Sequence, residues 1–109
     1  MLSDKLSGYI GFASRARKLQ TGYNTVLGLI EKRKARLVIV AEDAAEGTRD
    51  KLSAKSRSHG VPCVVFGTGD ELSGITGTGN SMVFAVTDGN FAKIISEEID
   101  RIRSEGVIR

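Results

Sequence analysis

The chain alternates between two patterns of apolar residues, one with helical spacing and one with the continuity of a buried strand. Apolar residues three and four positions apart line one face of a helix, so they predict helices. The clearest stripes are Leu6, Tyr9, Ile10 and Ala13 in a first helix, and Tyr23, Val26, Leu27 and Ile30 in a second. Further helices are predicted over residues 46–59, over residues 71–76 and from residues 88–90 onward, and strands over residues 19–21, 37–41, 61–66 and 82–86.

Helices and strands in alternation predict an α/β fold, a three-layer α-β-α sandwich with a small mixed four-stranded sheet. Residues 37–41 are apolar throughout, which is typical of a strand covered on both faces. The third helix has Leu52 as its only large apolar residue, so we expect it to be largely exposed. Because no internal repeat or linker composition interrupts the pattern, we expect a single domain over residues 1–109.

Composition narrows the class of protein. The chain has 109 residues, of which 40% are hydrophobic and 27% charged, an ordinary globular composition. Its single cysteine, Cys63, cannot form an internal disulfide. The longest apolar runs, five residues each, fall far short of a membrane helix, and the N-terminus lacks a signal-peptide pattern. We therefore expect a reduced, cytoplasmic protein that has no contact with a membrane.

Charge is distributed unevenly along the chain. Residues 1–36 carry eight basic and two acidic side chains, a net charge of +6, whereas residues 37–109 carry eight basic and eleven acidic ones, a net charge of −3. A local basic excess is typical of surfaces that bind polyanions such as nucleic acids. The same excess also fits an ordinary solvated surface, and charge alone leaves both interpretations open.

Few residues offer catalytic chemistry. We interpret Cys63 as a buried structural thiol in a strand, and His59 as a helix-end residue stabilised by the helix dipole. One histidine and one cysteine cannot form a usual zinc site. Glu42 and Asp43 are adjacent at a strand end, where neighbouring side chains point to opposite faces, so we expect solvated carboxylates. The sequence therefore predicts a protein that is not an enzyme and has no metal or cofactor.

A glycine-rich loop offers a weak indication of nucleotide binding. Gly67, Thr68 and Gly69 follow a predicted strand and precede a helix, which is the context of a dinucleotide-binding loop. The third glycine of that fingerprint falls on Leu72, and the lysine of a nucleoside-triphosphate site is missing. We therefore expect no small-molecule substrate.

The start of the second helix is the main candidate site. A helix N-terminus presents free N–H groups and a partial positive charge, and Gly22 permits a close approach of a nucleic-acid backbone. Asn24 offers a donor and an acceptor that can read a base edge. Lys32, about two turns further along, lies on the same side as Asn24 and Gly28. The alternative is that Asn24 is an ordinary N-terminal capping residue, and the spacing leaves both open.

These segments resemble a known family. Residues 22–26 read Gly-Tyr-Asn-Thr-Val and residues 35–43 read Ala-Arg-Leu-Val-Ile-Val-Ala-Glu-Asp, which resembles the L-seven-Ae family of ribosomal and kink-turn RNA-binding proteins. Residues 11–19 and 88–93 resemble its bacterial YlxQ-like branch. The resemblance extends over residues 4–100, nearly the whole chain.

The resemblance implies a sandwich fold that binds kink-turns, which are RNA bends built on tandem sheared G·A pairs. In the family, the start of the second helix contacts the guanines of those pairs, and basic residues further along assist. The residues expected to contact RNA are Gly22, Asn24, Thr25, Gly28, Lys32, Lys18, Arg15 and Arg36.

Two of these positions depart from the family pattern. Thr25 stands where the family usually has glutamate, and Gly28 where it usually has lysine. The loop of residues 78–82 is polar, whereas the family's loop before the last strand is apolar and closes over the RNA. The loss of one charged side chain that contacts a base weakens RNA binding by about 1–3 kcal/mol.

We therefore expect a non-enzymatic RNA-binding protein whose partner is a structured RNA, either a kink-turn or ribosomal RNA, with association with the ribosome. The alternative is a protein-interaction module on the same fold that has lost kink-turn specificity. Val107 and Ile108, near the C-terminus, fit packing within the chain or in a dimer, and the sequence leaves both open.

Overall fold

The computed structural model describes the backbone of residues 2–108 and the side chains of residues 2–105. The helices are α1 (Asp4–Arg15), α2 (Tyr23–Glu31), α3 (Glu46–Ser58), α4 (Gly69–Thr76) and α5 (Gly89–Ile108), and the strands are β1 (Leu19–Thr21), β2 (Leu37–Val40), β3 (Cys63–Val65) and β4 (Val83–Val86). Helices and strands follow one another in the predicted order. The side chains of Val107 and Ile108 lie outside the described residues.

Two elements start two residues away from their predicted first residue because of local hydrogen bonding, whereas α3, β2 and β4 differ from their predicted ranges by one residue each. α4 begins at Gly69 rather than at residue 71, because Thr68 caps it. The Thr68 hydroxyl accepts the N–H of Glu71 at 3.2 Å, and the Glu71 carboxylate accepts the N–H of Thr68 at 2.9 Å, which together form a capping box. β3 is shorter than residues 61–66, since Pro62 has no N–H and the N–H of Val61 donates back to the end of α3.

The sheet has the order β1-β4-β2-β3. β1 and β2 both run antiparallel to β4, whereas β2 and β3 are parallel, so the sheet is mixed as predicted. Val86, the last residue of β4, is aligned with Leu19 and with Leu37, the first residues of β1 and β2. The residues that precede these two strands therefore meet at one end of the sheet. The start of α2, which follows β1, lies at the opposite end.

Helices cover both faces of the sheet. Side chains of α1, α4 and α5 pack on one face, and those of α2 and α3 on the other. Leu37 and Ile39 of β2 face the first layer, whereas Val38 and Val40 face the second. Because each face is covered, every residue of β2 and β4 is buried, and the predicted three-layer sandwich is confirmed. The prediction of a largely exposed third helix is confirmed too: Leu52 and Ser56 are the buried residues of α3.

α1 and α2 end in the same way. After each helix an arginine adopts the left-handed conformation, Arg17 in one case and Arg33 in the other, both with φ of 61°. The next residue, Lys18 or Lys34, donates its N–H to the carbonyl five residues earlier, at 2.8 and 2.9 Å. This is the Schellman motif, whose left-handed position is usually occupied by glycine. It turns each helix sharply into the strand that follows.

Candidate functional site

The N-terminus of α2 is open. Gly22 precedes the helix, and no side chain caps it. The first N–H that bonds within the helix is that of Val26, to the carbonyl of Gly22 at 2.9 Å. The N–H groups of Tyr23, Asn24 and Thr25 therefore have no partner in the described part of the chain. Since the first turn also lacks an acidic residue, the helix dipole and these donors remain available to an anion or an acceptor.

Gly22 sets where α2 begins. Its φ of 101° and ψ of 143° lie in a region that residues with a side chain rarely adopt. The N–H of Gly22 donates to the carbonyl of Val83 at 3.2 Å, which ties the start of α2 to the start of β4. A backbone turn, rather than a capping side chain, therefore fixes the beginning of this helix.

Asn24 is the second residue of α2, and its side chain is exposed. The interpretation of Asn24 as a capping residue is wrong, because the cap position belongs to Gly22, two residues earlier. The amide of Asn24 makes no hydrogen bond to any described residue, so its donor and its acceptor are both available to a ligand.

Four of the predicted residues share the outer face of α2, which we define as Asn24, Thr25, Gly28 and Lys32. The side chains of Asn24, Thr25 and Lys32 are exposed. A Cβ atom built on Gly28 meets nothing within 4 Å, so the space beside Gly28 is open. Lys32 occupies the C-cap, about 12 Å from Asn24 along the helix axis. Residues 23–31 are helical, so the spacing from which Asn24, Gly28 and Lys32 were predicted to share one side of the helix applies.

Lys18 and Arg36 lie at the other end of α2, where β1 and β2 begin. The carbonyl of Lys18 accepts the N–H of Thr87 at 2.8 Å, and the N–H of Arg36 donates to the carbonyl of Val86 at 2.7 Å. Both basic residues therefore flank the end of β4, at the same end of the sheet as the C-terminus of α2.

Arg15 lies in a different helical layer from the predicted residues of α2. It ends α1, which packs on the face of the sheet opposite to α2. Its guanidinium carbon lies 4.8 Å from the centre of the Phe12 ring, a cation–π contact on the outside of α1. The structure therefore does not bring Arg15 together with the outer face of α2.

A groove of about 460 Å³ runs beside α2. We call it the side groove, and it is lined by Gln20, Thr25, Leu29, Arg33, Lys34, Arg36 and Thr87. Sequence reasoning singled out Thr25 and Arg36 but missed the other five residues. The position of Gln20 was predictable from β1, because successive side chains of a strand point to opposite faces. Leu19 packs into the core on the side of α1, so Gln20 faces the side of α2.

The glycine-rich loop before α4 is occupied by the chain's own acids. The carboxylate of Glu42 accepts the N–H of Gly67 at 3.3 Å, and that of Asp43 accepts the N–H of Gly69 at 2.8 Å. The expectation that these carboxylates point to opposite faces is wrong, because the chain leaves the pleat of β2 after Val40 and turns. The N–H groups that a bound phosphate requires are therefore already bonded within the chain.

The other two residues considered for catalysis, Cys63 and His59, make contacts within the fold. Cys63 is half-buried rather than fully buried, and its Sγ lies 3.9 Å from the Oγ of Ser53. His59 follows the end of α3, with its Nδ1 3.0 Å from the carbonyl of Lys55. Within the described residues there is no group of three metal-ligating side chains, and no helix long and apolar enough to cross a membrane.

The carboxyl group of Glu98, whose pKa is strongly lowered, joins α1 to α5. It is buried and accepts hydrogen bonds from Arg101 Nε at 2.9 Å and from Ser3 Oγ at 2.8 Å. The hydrogen bonds from Arg101 are the main cause that lowers the pKa of Glu98 to about 2. Because Ser3 also caps α1 by accepting the N–H of Leu6 at 3.0 Å, the cluster stabilises the layer opposite to α2.

The mixed sheet between two helical layers defines the class of fold, and comparison with known sequences gives the family. The model of the Ribosomal protein L7Ae/L30e/S12e/Gadd45 family matches residues 4–96. The chain is 38% identical over 96 residues to RNA-binding protein YlxQ of Enterococcus faecium, an alignment that covers 88% of this chain and 92% of that relative. It is 36% identical over 88 residues to RNA-binding protein YlxQ of Bacillus subtilis (strain 168), with 80% and 88% covered. The chain belongs to this family, which confirms the resemblance seen in the sequence.

Solved structures agree with the fold. A protein of unknown function from Bacillus halodurans matches with a TM-score of 0.87 at 32% identity, over 90% of this chain and 99% of that one. The 15.5kD RNA binding protein of Giardia lamblia matches with a TM-score of 0.72 over 95% of this chain and 92% of that one. Its identity is 19%, so this second likeness shows the fold alone.

Proposed function

We propose that the protein is a non-enzymatic RNA-binding protein that reads a kink-turn with the start of α2. The observation that carries this proposal is the open N-terminus of α2, where three free N–H groups adjoin the exposed and unbonded amide of Asn24. The names of the relatives from Enterococcus faecium and Bacillus subtilis, both RNA-binding proteins, support RNA as the ligand.

The geometry of RNA explains why a helix end is suited to this task. The major groove of an A-form helix is too narrow for side chains, so readers act on elements whose base edges are open. Sheared G·A pairs expose such edges. In the proposed complex, Asn24 hydrogen-bonds a base edge, and Gly22 lets the RNA approach the free N–H groups closely.

The basic residues hold phosphates in this proposal. Lys32 lies on the outer face of α2, and Lys18 and Arg36 lie beyond the C-terminal end of that helix. A phosphate contact fixes the position of the RNA but carries no sequence information. Arg15 is the least suited of the proposed contacts, because it lies in the opposite layer.

Thr25 and Gly28 set the expected strength of binding. A threonine accepts a hydrogen bond but offers no carboxylate to a guanine, and Gly28 has no side chain. A charged side chain that binds a base contributes about 1–3 kcal/mol, so the absence of two such side chains would weaken kink-turn binding severely. We therefore propose a kink-turn preference that depends on Asn24 and is weaker than that of family members with glutamate and lysine at these positions.

The salt dependence of binding tests whether phosphates contribute. The affinity for a kink-turn RNA is measured between about 50 and 200 mM salt, and log affinity is plotted against log salt. Contacts from Lys18, Lys32 and Arg36 predict a slope of about −2 to −3. A slope near zero would contradict the proposal.

The same two departures, Thr25 and Gly28, favour a second candidate function, a protein-interaction module on this fold. The outer face of α2 carries one charged side chain, that of Lys32, and a surface with so few charges suits a protein partner as well. Affinity capture from extract with and without RNase treatment separates the two functions. A partner that is retained after RNase treatment favours the module, and loss of every partner rejects it.

A further inference from the structure

The side groove carries a positive charge that no ion pair among the described residues neutralises. Three of its lining residues are basic and none is acidic. Glu31 is the only acid of α2, and it is paired with Lys55 of α3, at 3.3 Å between Nζ and Oε2. The other ion pairs of the described residues lie on α5. The charge of the groove therefore favours a negatively charged group.

The remaining lining residues add chemistry that a simple phosphate site does not need. The amide of Gln20 provides a donor and an acceptor, the pattern with which side chains read a base edge. Leu29 gives an apolar wall against which the face of a base can lie. The volume of about 460 Å³ falls within the range of sites that hold small organic ligands. Together these features fit a nucleotide, with its base and its phosphate.

The groove is continuous with the surface proposed to read RNA. Thr25 belongs both to the outer face of α2 and to the lining of the side groove. A strand that leaves the N-terminus of α2 can therefore enter the groove without crossing another element. This continuity favours a segment of the bound RNA over an acidic peptide as the occupant.

We propose that the side groove binds one unpaired nucleotide of the RNA read by α2. The base lies against Leu29 and beside Gln20, and the phosphate lies between Arg33 and Arg36. The inference rests on the proposed function, since α2 brings the RNA strand to the groove.

The two Schellman motifs supply a matched pair of variants. Arg33 has φ of 61°, a conformation that glycine adopts readily, so Arg33→Gly removes the guanidinium without straining the backbone. Arg17 occupies the same position after α1, with the same φ, and does not line the groove. Arg17→Gly therefore removes the same charge from the same backbone geometry and serves as the control.

Two RNAs make the first test. One is a kink-turn with fully paired ends, and the other carries a short unpaired extension beside the kink. We expect the wild-type protein to bind the extended RNA about tenfold more tightly, because a bound base adds to the affinity. Arg33→Gly and Gln20→Ala are expected to abolish this gain, whereas Arg17→Gly keeps it. A wild-type protein that shows no gain, or a gain that both glycine variants reduce equally, would overturn the inference.

Failure of the groove and failure of the proposed function are distinguishable. Asn24→Ala is expected to weaken binding to both RNAs and to leave their ratio unchanged. If Asn24→Ala has no effect while the gain from the extension still depends on Arg33, the reading by α2 is wrong. If Asn24→Ala acts as expected and the gain is absent, the groove inference alone is wrong.

A direct measurement locates the nucleotide. Backbone amide shifts are followed by NMR while a short single-stranded oligoribonucleotide is added, and separately while an acidic peptide of equal charge is added. The inference predicts that the oligonucleotide shifts Gln20, Leu29 and Thr87 and that the peptide does so much less. Equal shifts with the peptide, or shifts confined to other residues, would overturn the assignment of a nucleotide.

Discussion

Two helices begin at a turn that contains glycine, but the chain bonds the first N–H groups of only one of them. α2 follows Gly22, whereas α4 begins at Gly69 and is capped by Thr68. At α4, the Thr68 hydroxyl, the Glu71 carboxylate and the Asp43 carboxylate each accept an N–H of the turn. At α2, the chain provides no such acceptor for the first three N–H groups in its described part. We call the N-terminus of α4 closed, because side chains of the protein bond its N–H groups, and the N-terminus of α2 open.

A glycine at the start of a helix therefore does not by itself identify a binding site. Both segments attracted attention in the sequence for this reason, the first as a nucleotide loop and the second as an RNA contact. What distinguishes them is whether acceptors from elsewhere in the fold reach the free donors. Asp43 follows β2 and bonds the N–H of Gly69, so the closed N-terminus contributes to stability. The open one is available for binding.

The largest expected effect is at the open N-terminus. Asn24→Ala should weaken kink-turn binding by about 1–3 kcal/mol, a factor of about 5–150, because the hydrogen bonds to a base edge are removed. The free energy of unfolding should change by less than about 0.5 kcal/mol, since the side chain is exposed and unbonded. Titration calorimetry and chemical denaturation measure the two quantities. An equal loss of affinity for an RNA without the G·A pairs would exclude base reading by Asn24.

The closed N-terminus should respond in the opposite manner. Thr68→Ala removes the capping hydroxyl, so the free energy of unfolding should fall by about 1 kcal/mol, with RNA affinity unchanged. Thr25→Ala is the matched control for stability, because Thr25 makes no capping bond at α2. If both variants lose the same stability in denaturant titrations, the distinction between an open and a closed end is wrong.

Lys32→Ala should have a smaller and less selective effect. A phosphate contact is independent of sequence, so binding to all RNAs should weaken by the same factor, less than about tenfold. The slope of log affinity against log salt should become less negative by about one. Selective loss of kink-turn binding would instead assign a base contact to Lys32.

A decrease in pH is expected to have the smallest effect on RNA binding by the open N-terminus. It lowers the stability of the opposite helical layer, where Glu98 lies. The pKa of Glu98 is lowered from 4.5 to about 2 in the folded protein, chiefly by hydrogen bonds from Arg101. Its contribution to stability is therefore complete above pH 4.5 and is lost as the pH falls toward 2. Denaturation curves between these pH values should show a smaller decrease for Glu98→Gln than for the wild-type protein. An equal decrease would show that Glu98 does not cause the loss of stability in acid.

The fold was predictable because its elements carry strong local patterns. Leu6 and Ile10 mark one face of α1, and the continuous run from residue 37 marks a strand buried on both sides. The order β1-β4-β2-β3 was not available from such patterns, because alternation gives the layers but not which strands are neighbours. The side groove depends on that order, which brings Gln20, Thr87 and Arg36 together.

The candidate site was predictable in part. The spacing of Asn24, Gly28 and Lys32 gave the outer face of α2, since helical periodicity is local. Glu42 and Asp43 are exposed, as expected, but their hydrogen bonds to Gly67 and Gly69 were not predicted. The cap position of α2 at Gly22 rather than Asn24 was not predicted either. Such details depend on how a loop meets a distant segment. Local sequence patterns do not contain that information.

The most direct test of RNA reading by α2 compares two RNAs at the same salt concentration, one with a kink-turn and one in which Watson–Crick pairs replace its tandem G·A pairs. We predict that the wild-type protein binds the kink-turn at least about tenfold more tightly, a difference of about 1.4 kcal/mol. Equal affinity for the two RNAs would contradict the claim that the open N-terminus of α2 reads a kink-turn.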